Sequence, residues 1–376
     1  MNESKKKRMN KSDKRKTAAV FDPYLDTIGG GEVYTCSVID CLLKQGFEVT
    51  LFWKDKAIKK TIKKYLGINI DQAIIDPKAH ELFTKRGQWL QKRQLTHRYD
   101  VVFFLSDGSI PPLFSKNNIL HFQIPFTNVH GTSLLNHIKL SYIHHIICNS
   151  FFTKRVIDKE YDVRSEVLYP PLNISPKKTK KQNIILSVGR FTETLHHKRQ
   201  DVLISAFKEM IDAGLNGWKF HLVGSSKEGK SLIGKLQKEA HGYPITIMTD
   251  VTHDVLEREY GSAKIFWHAA GLGVDEKEHP ERVEHFGIAT AEAMSAGCVP
   301  IVINKGGQPE IVTDGESGLL WNTVEELKES SLRLIKQPIL TDRLAQKAKH
   351  SCRNFSKEKF CEQLLKMLDN KDRKNL

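Results

Sequence analysis

The strongest constraint on this 376-residue chain is a regular alternation of two sequence patterns. From Thr17 onward, short runs of β-branched and aromatic residues alternate with segments of helical periodicity, which is typical of parallel sheets covered by helices. The predicted strands span residues 18–21, 49–53, 101–105, 119–122 and 146–148, then 184–188, 219–223, 245–248, 265–268 and 299–303. The pattern therefore predicts an α/β fold.

A stretch rich in proline and lysine separates the two series of strands. Three prolines and four lysines fall between residues 170 and 181, a composition typical of an extended linker. We predict one domain at residues 17–170 and a second at 184–356, with a linker at 171–183. Open α/β sheets bind ligands at the carboxyl ends of their strands, so a site is expected in the cleft between the domains.

The net charge of +14 is densest at the start of the chain, although more than half of it lies elsewhere. Residues 1–16 carry eight Lys or Arg against two acidic residues, which predicts a solvated, disordered tail or, alternatively, attraction to anionic lipid or nucleic acid. No apolar run approaches the roughly 18–20 residues of a membrane span, and no apolar signal core follows the tail. We expect a cytoplasmic protein, soluble or peripheral at the membrane face.

The cysteines and carboxylates show no metal-binding pattern. No CxxC pair and no zinc-like histidine spacing occurs, so the six cysteines are predicted to be reduced, mostly buried thiols. No Asp-x-Asp motif follows a predicted strand. Neither a metal nor another cofactor is therefore expected.

Two carboxylates lie eight residues apart in the segment EHFGIATAE at 284–292. If a helix begins near Gly287, its free backbone amides form an anion site suited to phosphate. Glu292 would then accept hydrogen bonds from both hydroxyls of a ribose, and Glu284 would reach the hydroxyls of a sugar. The alternative interpretation is a surface helix with an acidic first turn.

Several segments together resemble family 4 of the retaining glycosyltransferases. They are EHFGIATAEAMSAGCVPIV at 284–302, GGQPEIVTDGESGLLW at 306–321, and SVGRF at 187–191 with a downstream lysine. The resemblance covers nearly all of the second predicted domain. It implies a GT-B fold, with two Rossmann-like domains facing a central cleft, an acceptor-side first domain, a nucleotide-sugar-binding second domain, and a helix within 357–376 that crosses back to the first.

The resemblance also implies roles for the second domain's residues. Glu284 would contact the donor sugar and Glu292 the ribose, with Phe286, Gly287 and Ile288 completing the donor site. No enzymic nucleophile is required in the retaining mechanism that this family implies.

The family's diphosphate-binding arginine and lysine fall on Arg190 and Lys198. Negative charge develops on the departing diphosphate, and fixed cations stabilise it without a metal. Because 196–199 form a basic run, Arg199 is the alternative to Lys198.

In the first domain, the resemblance places Gly30 and Gly31 in a loop facing the donor diphosphate and the acceptor. A simple loop is the alternative, and the run is not GxGxxG, so a nicotinamide site loses its main support. His121 is predicted to face the cleft as a contact of the donor sugar, with a purely structural histidine as the alternative. His268 ends a WHAAG strand similar to that of some members.

Asp250 and Val251 lie where the family holds the nucleotide base, largely through backbone groups. GDP-mannose is favoured over UDP-glucose and UDP-N-acetylglucosamine because the EHFGI form resembles a branch that includes mannosyltransferases. The expected partners are thus a nucleotide-diphosphate sugar and a glycan or polyprenyl-linked acceptor.

Basic segments of the first domain predict contact with an anionic membrane surface, the alternative being a solvated face. They are four lysines at 59–64 and the mixed basic and apolar stretch 85–93. Two rival functions are a GT-B sugar-nucleotide epimerase and a nucleic-acid-binding protein. The second would explain the sequence pI near 9.3, but it does not explain the segment 284–292, so nucleic acid is not an expected partner.

Overall fold

The computed structural model describes residues 15–175, 179–193, 198–227 and 229–369. Except for Arg15 and Lys16, the predicted basic tail lies outside these ranges, as do 176–178 of the predicted linker and 196–197 of the basic run. The described residues form two domains, each a parallel sheet covered by helices. The predicted fold class is confirmed.

The first domain contains a seven-stranded parallel sheet, whose strands are β1 Thr17–Phe21, β2 Glu48–Phe52, β3 Ile74–Ile75, β4 Val101–Leu105, β5 Asn117–Phe122, β6 His145–Cys148 and β7 Glu166–Val167. Their spatial order is β3-β2-β1-β4-β5-β6-β7. Its helices are α1 Gly30–Lys44, α2 Ile58–Leu66, α3 Pro77–Thr84, α4 Trp89–Thr96, α5 Leu134–Leu140 and α6 Phe151–Tyr161. Every residue of β4 is buried, as expected when helices cover both faces of a parallel sheet.

The second domain contains a six-stranded parallel sheet, whose strands are β8 Gln182–Val188, β9 Lys219–Gly224, β10 Ile245–Thr249, β11 Ala263–His268, β12 Val299–Ile303 and β13 Leu319–Trp321, in the order β10-β9-β8-β11-β12-β13. The helices that follow β8 are α7 Gln200–Asp212, α8 Lys230–Ala240, α9 His253–Ser262, α10 Ile288–Ser295, α11 Gln308–Ile311, α12 Val324–Lys336, α13 Pro338–Ser351 and α14 Lys357–Asp369. All ten predicted strands are present. The three that were not predicted, β3, β7 and β13, have only two or three residues, too few to show a period.

The last helix, α14, packs on the first domain. Phe360 and Leu364 are buried in the core that contains α1, and the Phe360 ring meets Tyr34 edge-on at 5.1 Å between centroids. Cys361 forms a disulfide with Cys41 of α1. The prediction that all six cysteines are reduced is therefore wrong for this pair. The two lie 320 positions apart, so only the fold brings them together.

Candidate active site

A cavity of about 800 Å³ lies between the two domains. It is lined by segments that follow β1, β5 and β6 in the first sheet and β8, β9 and β10 in the second, the edge at which parallel sheets bind ligands. The predicted site residues on its wall are Gly30, Gly31, Arg190, Lys198, Asp250, Val251, Glu284, Phe286, Gly287, Ile288 and Glu292.

The glycine loop after β1 brings the two domains into close contact. Gly29 precedes α1 and donates its N–H to the Glu32 carboxylate at 2.5 Å, an N-terminal cap made by the third residue of the helix. A Cβ atom on Gly30 would lie 2.6 Å from Cγ2 of Ile288 in the opposite domain. Only glycine lets the two walls of the cavity approach this closely.

Glu284 stands at the centre of a partly buried polar cluster. Its Oε2 atom accepts a hydrogen bond from Lys198 Nζ at 2.7 Å and lies 2.8 Å from His268 Nε2. Burial alone would raise the pKa of Glu284, but the Lys198 charge and the His268 hydrogen bond outweigh it and hold the pKa well below its usual range. Glu284 is therefore ionised at neutral pH and able to accept hydrogen bonds from hydroxyl groups.

Lys198 and its neighbour Arg199 point to different surroundings. Lys198 lines the cavity beside Glu284, whereas the Arg199 guanidinium pairs with Asp201 at 3.2 Å and donates to the Leu272 carbonyl at 3.2 Å. The geometry favours Lys198 over Arg199 as the cation available to a ligand.

Glu292 lies inside α10 with only 7% of its surface exposed. Burial raises the pKa of Glu292 to about 7, although the Tyr260 hydroxyl and the backbone N–H of Asn173 offset part of the effect. The first N–H groups of α10, at Ile288 and Ala289, have no acceptor within the helix, and both residues line the cavity. Helix α10 thus presents backbone N–H donors and the Glu292 carboxylate to the interdomain cavity.

The loop after β10, which is predicted to hold a base, is braced against the loop after β9 by the Asp250 side chain. Asp250 has left-handed backbone geometry, with φ of 53°. Its carboxylate accepts hydrogen bonds from the backbone N–H of Ser226 at 2.9 Å and from the Ser226 hydroxyl. Because the side chain is used for bracing, the backbone beside Val251 is the part of this loop that is free to recognise a ligand.

His121 does not line the cavity, contrary to the predicted orientation. It is fully buried, its ring stacks on Tyr34 at 4.0 Å, and its Nδ1 atom lies 3.1 Å from the Ile147 carbonyl. Burial lowers the pKa of His121 to about 3, so the ring is neutral. Its position one residue before the end of β5 turns it into the sheet's core, and Gln123, just beyond the strand, reaches the cavity instead.

Among the cavity residues that the sequence did not predict are the polar residues Glu32, Gln123, Asn149 and His285. Gln123 Nε2 donates to the Gly31 carbonyl at 3.1 Å, and the Gln123 carbonyl lies 3.0 Å from Nδ1 of His285 in the other domain. Glu32 is 5% exposed and faces Arg190; burial raises its pKa despite that positive charge. Asn149 donates to the Gln123 carbonyl at 3.0 Å. The one signal in the sequence for any of these residues was the position of Glu32, which directly follows the glycine run.

A second contact between the domains lies at the start of α6. The Glu310 carboxylate, from the second domain, accepts hydrogen bonds from the N–H groups of Phe151 at 2.8 Å and Phe152 at 2.6 Å. Tyr169 donates its hydroxyl to the same carboxylate at 3.2 Å. A carboxylate at a helix N-terminus is favourable, so this contact stabilises the observed domain arrangement.

The described ranges contain neither a candidate metal cluster nor a candidate membrane-spanning helix. No group of three or more His, Cys, Asp or Glu side chains in these residues is arranged to hold a metal ion. None of the described helices combines the length and apolar character needed to cross a bilayer.

Residues 172–351 match the family model described as glycosyl transferases group 1. An uncharacterized glycosyltransferase of Methanocaldococcus jannaschii is 29% identical over 219 residues, covering 57% of this chain and 56% of the relative. A GDP-Man:Man(3)GlcNAc(2)-PP-Dol alpha-1,2-mannosyltransferase of Dictyostelium discoideum is 26% identical over 233 residues, covering 56% of this chain and 43% of the relative. The matches thus span about half the length of these two relatives.

Solved structures show the same fold. A glycosyltransferase from Rickettsia africae superimposes with a TM-score of 0.72 at 16% identity, covering 94% of this chain and 98% of the other. The Anabaena protein HepE, solved in complex with UDP and glucose, superimposes with a TM-score of 0.67 at 16% identity, covering 94% of this chain and 100% of the other. The second domain therefore matches the family model of glycosyl transferases group 1, and the two domains together have the GT-B fold of these solved glycosyltransferases.

Proposed function

We propose that this glycosyltransferase is a retaining, metal-independent enzyme that transfers mannose from GDP-mannose to a lipid-linked or glycan acceptor, working peripherally at the cytoplasmic face of a membrane. The observation that carries the proposal is the cluster of Lys198, Glu284 and His268 beside the first turn of α10. It combines a cation, an ionised carboxylate and free backbone amides in one interdomain cavity.

Each part of this cavity suits one part of a nucleotide-diphosphate sugar. Arg190, Lys198 and the amides of Ile288 and Ala289 would stabilise the charge that develops on the diphosphate as it departs. The ionised Glu284 would accept hydrogen bonds from the sugar hydroxyls. The fixed cations would take the electrostatic role that a metal ion has in other enzymes.

In the proposed reaction, the acceptor hydroxyl approaches the anomeric carbon from the face that the diphosphate leaves. The bond from the anomeric carbon to the phosphate oxygen breaks, and a bond to the acceptor oxygen forms on that face. The β-phosphate takes the hydroxyl proton. Contact between the two domains would exclude water during this step, as the approach of Gly30 to Ile288 suggests.

The choice of mannose draws on the curated relatives. Besides the alpha-1,2-mannosyltransferase, an alpha-1,3/1,6-mannosyltransferase of Dictyostelium discoideum is 24% identical over 324 residues, covering 71% of this chain and 74% of the relative. These names also favour a transferase over an epimerase or a nucleic-acid-binding protein.

A thermal-shift panel without metal tests the proposal. GDP-mannose and GDP are expected to raise the unfolding temperature, since a ligand at 100 times its Kd contributes about 2.7 kcal/mol. UDP-glucose, UDP-N-acetylglucosamine and UDP serve as the competing series, and single-stranded RNA tests the nucleic-acid alternative. Stabilisation by the uridine series alone would overturn the donor choice, and binding of RNA without any response to sugar nucleotides would overturn the transferase proposal.

Donor affinity is expected to rise between about pH 6 and pH 8, as Glu292 loses its proton. The pKa of Glu292 is about 7 in the folded protein, and ribose hydroxyls donate hydrogen bonds best to the ionised carboxylate. Because this pKa is raised, the group's contribution to stability is complete below about pH 4.3 and is lost as the pH rises through 7. Calorimetric titration of GDP-mannose across this range measures the effect.

The matched variant for this experiment is Glu292→Gln, which keeps the side chain's size and cannot titrate. Its donor affinity should be weaker and nearly independent of pH over the same range. An unchanged pH dependence in the variant would assign the effect to another group, such as Asp22, whose pKa burial also raises to about 7.

A further inference from the structure

Two neighbouring helices of the first domain expose apolar side chains to solvent. On α5 and the turn after it, positions 134, 138 and 142 recur at helical spacing and therefore share one face. Position 89 begins α4, which packs on the same side of the sheet. We call the exposed set the α4–α5 face; its members, with their exposed fractions, are Trp89 39%, Leu90 81%, Leu134 77%, Leu135 63%, Ile138 45% and Tyr142 41%.

Cation–π and ring contacts join the two helices into one surface. Lys139 of α5 places its ammonium 5.6 Å from the centre of the Trp89 ring of α4. Arg93 of α4 lies 5.3 Å above Phe114, and Phe114 contacts Tyr142 at 4.7 Å. These contacts place a cation beside an aromatic ring at two points of the α4–α5 face.

A separate cavity of about 320 Å³ opens beside this face, on the first domain and away from the interdomain site. Arg93, His97, Lys116 and His144 supply its polar wall, and Phe114 and Tyr142 its aromatic wall. Lys116 also pairs with Asp100 at 2.6 Å. Guanidinium, ammonium and imidazole donors around a small space suit a phosphate group.

We propose that the α4–α5 face docks on a bilayer containing anionic lipid, with its apolar side chains entering the head-group region and a lipid phosphate occupying the 320 Å³ cavity. Charge complementarity selects this occupant, because Arg93 and Lys139 lie against aromatic rings of the two helices and the exposed Arg86 precedes Trp89 and Leu90 in the chain. The neighbouring Lys85 pairs with Glu81 at 2.5 Å. Such a surface binds membranes by apolar burial and by attraction to anionic head groups.

The orientation of the α4–α5 face suits transfer to a lipid-linked acceptor. This part of the inference rests on the proposed function. A helix that leads into a parallel strand starts at the sheet edge where the strands end. Trp89 and Leu134 therefore lie toward the edge that carries the interdomain cavity, and the basic cavity lies toward the opposite edge. The apolar part of the face would thus meet the membrane next to the active-site cleft.

The lysines of α2 provide a matched comparison. Lys60 and Lys64 are exposed, but the apolar residues of this helix, Ile58, Ile62 and Leu66, are all buried. Helix α2 packs with α1 on the other side of the sheet. The structure therefore assigns membrane contact to the stretch 85–93 together with α5, and a solvated face to 59–64.

Flotation of the full chain with vesicles tests the docking surface, using phosphatidylcholine alone against an equimolar mixture with phosphatidylglycerol. The double variant Leu90→Ser and Leu135→Ser removes only exposed apolar side chains. It is expected to lower the partition coefficient of the protein on mixed vesicles about tenfold or more. Arg86→Gln with Arg93→Gln should abolish the preference for the anionic mixture. Lys60→Gln with Lys64→Gln, equal in charge to the arginine pair, should bind like the unmodified chain.

The response to GDP-mannose in thermal shift is the control for folding and for the proposed function. Variants that keep this response but lose vesicle binding support the inference. Vesicle binding that is unchanged in the leucine and arginine variants overturns it and leaves the basic tail as the attachment. If no sugar nucleotide binds but the vesicle results hold, the docking surface stands and the proposed transferase activity fails.

Discussion

Lys198→Ala is expected to lower the rate constant for sugar transfer roughly 10²–10³-fold, the loss typical of removing one group that stabilises developing negative charge. Lys198 is the cation that lines the cavity beside Glu284. Single-turnover transfer measurements at saturating GDP-mannose separate this effect from weaker donor binding.

Arg199→Ala is the matched control, since it removes an adjacent cation whose guanidinium is held by Asp201 and the Leu272 carbonyl. Its transfer rate should stay within a few-fold of that of the unmodified enzyme. A large loss in this variant, with little effect of Lys198→Ala, would exchange the roles of the two residues.

Glu284→Ala is expected to abolish measurable transfer and also to lower the free energy of unfolding by up to about 3 kcal/mol, the lower end of the range for buried ion pairs, because this pair is only partly buried. The carboxylate is the shared acceptor of Lys198 and His268. Its depressed pKa means that its stabilising contribution is present above the pKa of an unfolded glutamic acid and is lost as the pH falls through the folded value. Unfolding in urea at neutral and acidic pH measures this contribution.

Glu284→Gln distinguishes catalysis from stability, because the amide oxygen can still accept from Lys198 while the charge is gone. We expect most of the stability to return and most of the transfer activity to stay lost. Full activity in this variant would show that the negative charge of Glu284 is not needed in the reaction.

Features that depend on residues close together in the chain were predicted from the sequence, whereas contacts between residues far apart in the chain were not. The spacing of Glu284 and Glu292 around Gly287 predicted a loop leading into a helix, and α10 begins at Ile288 with both carboxylates on the cavity wall. Their surroundings were not predictable in the same way. Lys198 is separated from Glu284 by 86 positions, and only the packing of the second sheet places its ammonium at 2.7 Å.

His121 shows how a correct strand can still carry a wrong prediction for a side chain. The strand β5 was predicted, but the periodicity of a strand buried on both faces does not show whether a residue near its end enters the core or the cleft. Packing of Tyr34 against the His121 ring decided the question. Glu32, Gln123 and His285 were missed for a related reason, since each gains its role from the opposing domain or the neighbouring loop.

The sequence by itself determined the two series of strands and the loop and helix that carry Glu284 and Glu292. These features depend on periodicity and on spacing between residues close in the chain, which local backbone geometry translates directly into structure. Only the tertiary structure decided which of Lys198 and Arg199 enters the cavity, the burial of His121, the Cys41–Cys361 disulfide and the α4–α5 face. These depend on contacts and burial among residues far apart in the chain, which no local pattern encodes.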